Sequence, residues 1–425
     1  MTAITRVRAW EVLDSRGDPT VRVGVEVDGG QARGTFTVPA GASTGAHEVV
    51  EVRDGGDRYG GRGVSAAVEA VEGDLAAAVE GHEVTDQAGI DAALREADGA
   101  ADLSRLGGNA VLGVSGAVAH AAADALAIPL YEYLAAVAGR SPGALPLPRV
   151  NMISGGLHAE GGIAIQDFLA VPVGAGSYRE TLETAWDVRH ALRERVLARG
   201  ERPLVADEGG FAPDLGSIEA AFDMVEAAIS DAGHEPSRDD VALAVDVAAT
   251  QFWDPDAGRY ELASREGDLT PAAMRDLVAG WVEERPIVSV EDPLAEDDWE
   301  GWARLSGRLP CQLVGDDLLA TNPDRLERAI ETGAADAVLL KPNQAGTLTR
   351  AIRTAAEATD AGMDVVVSAR SGETCDTTIA DLAVALGADE IKIGSLARSE
   401  RLAKYNRLLR IGVSIDAFAD PSFGS

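Results

Sequence analysis

The sequence predicts an α/β protein in two parts, an N-terminal α+β capping domain and a C-terminal α/β (TIM-like) barrel. Three observations point there. The first fifty residues alternate apolar and polar side chains in hairpin fashion. A proline-dense break follows an Ala-rich region. Beyond it, short β-branched runs alternate with longer amphipathic stretches. A barrel of roughly 250 residues plus one smaller domain fits a chain of 425 residues.

Residues 6–13, 20–27 and 31–38 read as a three-stranded antiparallel meander, with Asp28-Gly29-Gly30 as a hairpin turn between the second and third. From residue 64 to about 138 the pattern is helical, broken at Gly107-Gly108 and Ile128-Pro129. Its most apolar part, 110–130, is interrupted by His120 and Asp124, so it reads as a buried helix and not as a membrane span. The stretch Ser141-Pro142-Gly143-Ala144-Leu145-Pro146-Leu147-Pro148 is too stiff for a helix and suits a linker, which divides the chain into 1–138, 139–148 and 149–425. Candidate strands then fall at 150–153, 168–173, 203–206, 242–247, 287–290, 312–314, 337–340, 365–367 and 390–393. Strand followed by helix, repeated, implies parallel β/α units. Eight or nine of them favour a closed barrel, with an open doubly wound sheet as the competitor.

Hydrophobic residues make up 46% and charged residues 25%, which excludes a mostly disordered chain. The net charge of −33 opposes phosphate backbones and anionic lipid, so neither nucleic acid nor membrane is expected as a partner. Any anionic substrate must then be held by a local cationic site or a metal. Cys311 and Cys375 cannot build a disulfide framework, and the N-terminus carries charges where a signal peptide needs an apolar run. A cytoplasmic protein is expected. Only three of the 37 basic residues are lysines (Lys341, Lys392 and Lys404), and an ammonium can serve as a proton-transferring base where a guanidinium cannot.

Polar residues follow the candidate strands at once: Asp207-Glu208-Gly209-Gly210, Asp246, Glu291-Asp292, Asp316-Asp317 and Lys341. The spacing of Asp246, Glu291, Asp316, Lys341 and Lys392 is close to multiples of one β/α unit, which in a barrel brings them all to the C-terminal mouth. Three converging carboxylates repel unless a divalent cation sits among them, and an oxygen-only donor set favours Mg²⁺, then Mn²⁺. Any one of these acids alone would read equally well as a helix cap. Lys341 follows the apolar run Ala337-Val338-Leu339-Leu340, so partial burial and nearby cations are expected to lower its pKa towards that of a general base, the alternative being a salt bridge to one of the acids.

These segments together resemble the enolase family. The resemblance runs along nearly the whole chain through Glu11-Val12-Leu13-Asp14-Ser15-Arg16-Gly17, Val38-Pro39-Ala40-Gly41-Ala42-Ser43-Thr44-Gly45, Asp207 to Pro213, Gly315-Asp316-Asp317-Leu318 and Ala397 to Lys404. It implies a homodimeric or larger glycolytic lyase that dehydrates 2-phosphoglycerate to phosphoenolpyruvate, a small phosphorylated carboxylate being its partner. It also implies two Mg²⁺ per site, the second substrate-dependent, beside a lysine base. Carried over by position, Asp246, Glu291 and Asp316 match the ligands of the tightly bound ion, and Ser43 matches the loop ligand of the second. Lys341 matches the base, and Glu208, with Asp167, the acids that assist the leaving hydroxide. His158, Gln166, Arg370, Ser371 and Lys392 match substrate-binding positions, Arg370 and Ser371 on the phosphate.

The sequence departs from the family pattern on one side. Asp167 stands for a glutamate, Ala369 for a histidine, Cys375 for an acid, and Ser154 for an asparagine. Metal, base and phosphate positions are kept. This asymmetry leaves two catalytic readings: an enolase with diminished acid assistance, or a relative in specialised metabolism making a phosphoenolpyruvate analogue, such as carboxyphosphonoenolpyruvate in phosphinate antibiotic biosynthesis. A non-catalytic scaffold is disfavoured because Lys341, Glu208 and the three acids remain.

Overall fold

The computed structural model describes residues 2–42, 45–159, 162–262, 267–419 and 423. Strands β1 (Ile4–Leu13), β2 (Pro19–Val27) and β3 (Ala32–Thr37) form the antiparallel meander. Against it lies the helix Gly108–Leu126, almost entirely buried. The contact is closest at Gly34, where an added Cβ would stand 2.1 Å from the carbonyl oxygen of Ala117 in that helix. Only glycine allows this approach. The apolar segment that the sequence marks as a buried helix is therefore the core of the cap, and among the described residues no single helix is long and apolar enough to cross a membrane.

The second part is a closed eight-stranded barrel. Its wall runs β4 (Leu147–Ser154), β5 (Asp167–Val171), β6 (Ala242–Asp246), β9 (Ile287–Glu291), β10 (Gln312–Gly315), β11 (Ala337–Leu340), β12 (Asp364–Ser368) and β13 (Glu390–Gly394), with β13 closing onto β4. A small hairpin, β7 (Trp253–Asp254) with β8 (Arg259–Tyr260), lies outside the wall. Leu147 and Pro148, at the end of the proline-dense stretch, already belong to β4. Helices start where hydroxyl side chains cap them: Ser177, Ser217, Thr270 and Thr347 each accept a bond from a backbone N–H three residues on.

Two expectations need correction. The barrel is not built of parallel β/α units throughout, because β5 runs antiparallel to both β4 and β6. The described part of the β4–β5 connection holds only the single turn Gly156–His158, and parallel pairing needs a longer crossover. Residues 203–206 form no strand. Val205 makes one isolated bridge to Phe211 while Leu204 and Val205 face solvent, since the ring is already complete without them. The reversal of β5 matters for the site: it places the first residue of β5, not its last, at the mouth, where Asp167 pairs in register with Ser154 and Asp246.

Candidate active site

At the mouth the strand ends deliver the residues that the spacing marked out. One pocket is bordered by His158, Gln166, Glu208, Asp246, Asp316, Lys341, Arg370, Ser371 and Lys392, together with Gly41 and Ala42 of the capping part. Lys392 on β13 reaches across the barrel axis to Glu291 on β9, four strands away around the ring. Its Nζ donates to Asp246 Oδ2 at 2.6 Å and to both oxygens of Glu291 at 2.7 and 2.8 Å. Lys341 Nζ pairs with Asp316 Oδ2, while Gln344 Nε2 holds Asp316 Oδ1 at 3.1 Å. Gln166, braced by Gln251 at 2.6 Å, donates to Asp246 Oδ2 at 3.0 Å. Of the three acids named from the sequence, Asp246 and Asp316 thus line one cavity with the two lysines, and Glu291 joins them through Lys392. Ser43 lies outside the described residues.

Lys341 does not show the lowered pKa expected of it. Burial works in that direction, but the Asp316 carboxylate outweighs it and holds the ammonium above its ordinary value. Lys392 is held well above its ordinary value, since Asp246 and Glu291 overcome its burial. The carboxylates crowd one another. Burial and Asp246 push Glu291 up to about 8, and burial and Asp316 push Asp317 up to about 7. Burial would raise Asp246 too, but Lys392 keeps it below the usual range. More negative charge gathers here than the lysines neutralise. Asp292, Asp316 and Asp317 bring donor oxygens within 4.8 Å of one another, as do the donors of His158, Asp167 and Glu208. The all-oxygen donors of Asp292, Asp316 and Asp317 in excess charge suit a hard divalent cation, and Asp316 is the expected ligand found among them, whereas Asp246 and Glu291 face Lys392.

Arg370, on the loop after β12, is held by Glu48 of the capping part at 2.9 Å and by Asn343 at 3.2 Å. Ser371 Oγ accepts from the backbone N–H of Ala42 at 2.6 Å. Arg16 binds the carbonyls of Ala40 and Gly41 at 3.3 Å and lies 3.4 Å from Ser371 Oγ, fastening the glycine-rich loop to the barrel. Arg16 belongs to a quoted motif but was not singled out. Gln251, Gln344, Glu48 and Asn151 were missed as well, because lone polar residues inside a strand, a short helix or a loop carry no spacing signal.

The remaining site residues form a chain of buried groups. Asp167 is fully buried and stands behind His158 instead of on the pocket wall. Its Oδ2 lies 3.1 Å from His158 Nδ1, and His158 Nε2 lies 3.8 Å from Glu208 Oε1. Burial alone would lower the His158 pKa, but Asp167 and Glu208 raise it to about 9. Glu208 behaves oppositely: burial raises it, yet His158 and Arg401 hold it below the usual range. The proton of this pair therefore resides on His158. Ala369 borders the pocket, whereas the exposed Cys375 lines a separate cleft with Leu13, His120 and Glu400. The thiol is not part of the leaving-group side, contrary to its grouping with Asp167 and Ala369.

With this geometry the comparison with known families is decisive. The family model described as Enolase, C-terminal TIM barrel domain, matches residues 142–420, and Enolase, N-terminal domain, matches residues 4–134. The chain belongs to the enolase family. Its acidic clusters can hold a metal, and it is a lyase-type enzyme of the enolase superfamily. In this enolase-family site the shifts of Glu291, Asp317 and His158 all run the same way, since each binds its proton more tightly folded than unfolded. Each therefore lowers stability as pH rises between its ordinary value and its folded value, together spanning about 3.8 to about 9. Asp246 and Glu208, held low, act in the opposite sense only at more acidic pH. Chelator-treated protein is expected to melt a few degrees lower at about pH 8.5 than at about pH 6. Thermal melts with excess divalent cation should lose most of that slope, because the bound carboxylates are deprotonated throughout.

Proposed function

We propose that the protein is a Mg²⁺-dependent hydro-lyase that takes the proton α to the carboxylate of 2-phosphoglycerate and eliminates water to give phosphoenolpyruvate. The observation that carries this reading is the position of Lys341 in one pocket with the acidic cluster, the Arg370–Ser371 corner and His158. Asp246, Glu291 and Asp316 would hold Mg²⁺, which when bound would supply positive charge to the substrate carboxylate. With Asp316 so engaged, Lys341 gives its resting proton to solvent and, as the neutral amine, takes the α-proton. The electron pair left on carbon moves into the new double bond and expels hydroxide from the β-carbon. The hydroxide takes its proton from His158, which Asp167 and Glu208 keep charged, and leaves as water. Arg370 and Ser371 hold the phosphate in place of Glu48. Base and acid stand apart as this scheme requires, since β11 carries Lys341 and β5, its opposite in the ring, adjoins His158.

A second reading has its own observation. Asp167 is withdrawn behind His158, and Ala369 offers the pocket a methyl group where the family has an imidazole, which supports a different substituent at this corner. Here the substrate is an analogue of 2-phosphoglycerate and the product an analogue of phosphoenolpyruvate. The absorbance of phosphoenolpyruvate, followed with 2-phosphoglycerate and Mg²⁺, separates the two readings. Turnover on the order of 10 s⁻¹ is expected of the first. The variant Ala369→His should then gain about tenfold or more if acid assistance limits the rate. No turnover by wild type or variant, with Mg²⁺ bound, leaves the second reading.

A further inference from the structure

The group behind His158 has a construction of its own. Ser154 Oγ donates to Asp167 Oδ1 at 2.9 Å. The Asn151 amide donates to the same oxygen and, at 3.1 Å, to Ser154 Oγ. Both donors come from the end of β4, and all three side chains are buried. With Oδ1 engaged twice, Oδ2 is left for His158 Nδ1. A flipped Asn151 would set its carbonyl against a carboxylate, so its orientation is fixed even though Asn151 Oδ1 finds no partner. The same two residues meet the loop that carries Glu208. A Cβ on Gly210 would lie 2.6 Å from Asn151 Oδ1 and 2.7 Å from Ser154 Oγ, and the Ser154 N–H donates to the Phe211 carbonyl at 2.9 Å.

We infer that Ser154 and Asn151 are positioning residues that turn Asp167 away from the substrate and towards His158, fixing that imidazole at the pocket wall. This rests on the role proposed above for His158 as proton donor. A carboxylate one methylene shorter than glutamate is suited to the arrangement: it reaches the β4 donors and the imidazole at once, and the imidazole becomes the group that meets the leaving oxygen.

The test is Ser154→Ala, with Ser154→Thr as the rescue, in the phosphoenolpyruvate assay. Ser154→Ala is expected to lower kcat by about tenfold or more while KM stays within about twofold, and Ser154→Thr to recover most of the loss. An unchanged kcat, a change confined to KM, or a loss that threonine does not recover overturns the inference. A second measurement needs no turnover: nitrogen-15 histidine spectra of the full chain, with the His158 signal assigned by its absence in His158→Gln. The Nδ1 proton is expected to exchange with solvent about tenfold faster or more in Ser154→Ala, and equal exchange overturns the inference. If wild type does not convert 2-phosphoglycerate, the proposed function falls, and the exchange measurement still decides the positioning role.

Discussion

Lys341→Ala is expected to abolish exchange of the substrate α-proton with solvent, by about 10³-fold or more, whichever phosphorylated carboxylate is the true substrate. No other lysine can replace it. Lys392 stands on β13, two strands from β11 around the ring, among Asp246 and Glu291, and Lys404 binds Glu373 away from the pocket. Lys341 is held in place by its setting: the backbone N–H donates to Thr321 Oγ1 at 2.9 Å, and the residue joins β11 to the short helix Pro342–Ala345. Its pairing with Asp316 means that the ammonium is the resting form, so proton transfer depends on Asp316 being engaged elsewhere. Exchange is read by mass spectrometry of substrate recovered from deuterium oxide. Retention of the Mg²⁺-dependent rise in melting temperature shows that the variant is folded. Persistent exchange in a folded Lys341→Ala removes this residue from the base role.

Much of this was legible in the sequence because strands and mouth residues share one rhythm. Asp246, Glu291, Asp316 and Lys341 each end an apolar run, and a barrel converts that repetition into convergence. The reversal of β5 was not legible. Antiparallel pairing comes from the short turn between β4 and β5, and apolar runs look the same in both directions. Residues 203–206 failed for the complementary reason: β-branched and apolar content marks a strand only where a sheet edge remains to receive it. Of the two readings open for Lys341, a base poised by nearby cations and a salt bridge to one of the acids, the structure has the second, because Asp316 is the charge that meets it. Cys375 shares a sequence motif with Arg370, but the loop turns between them and sends the thiol to another cleft.

The two-sided engagement of Lys392 leads to the largest expected effect on stability. Its ammonium lies between two buried carboxylates, so Lys392→Met keeps the stem and removes the charge, leaving Asp246 and Glu291 facing each other without a cation. The loss in chelator-treated protein is expected to be about 3–5 kcal/mol, as for a buried ion pair broken on one side. It should be smaller near pH 6 than near pH 8.5, because Glu291, already pushed up to about 8 with Lys392 present, protonates more readily once the ammonium is gone. The Lys392 contribution itself persists below the ordinary lysine pKa and fades only as pH rises through its raised folded value. Excess Mg²⁺ should restore a large part of the loss, since a divalent ion on the same oxygens replaces the missing charge. Chemical denaturation of the variant, with and without Mg²⁺ at both pH values, measures this directly. If the variant loses the same stability whether or not Mg²⁺ is present, these acids do not take the ion. Asp246 and Glu291 would then be structural partners of Lys392, and the metal would have to rest on Asp292, Asp316 and Asp317, whose oxygens converge beside Lys341.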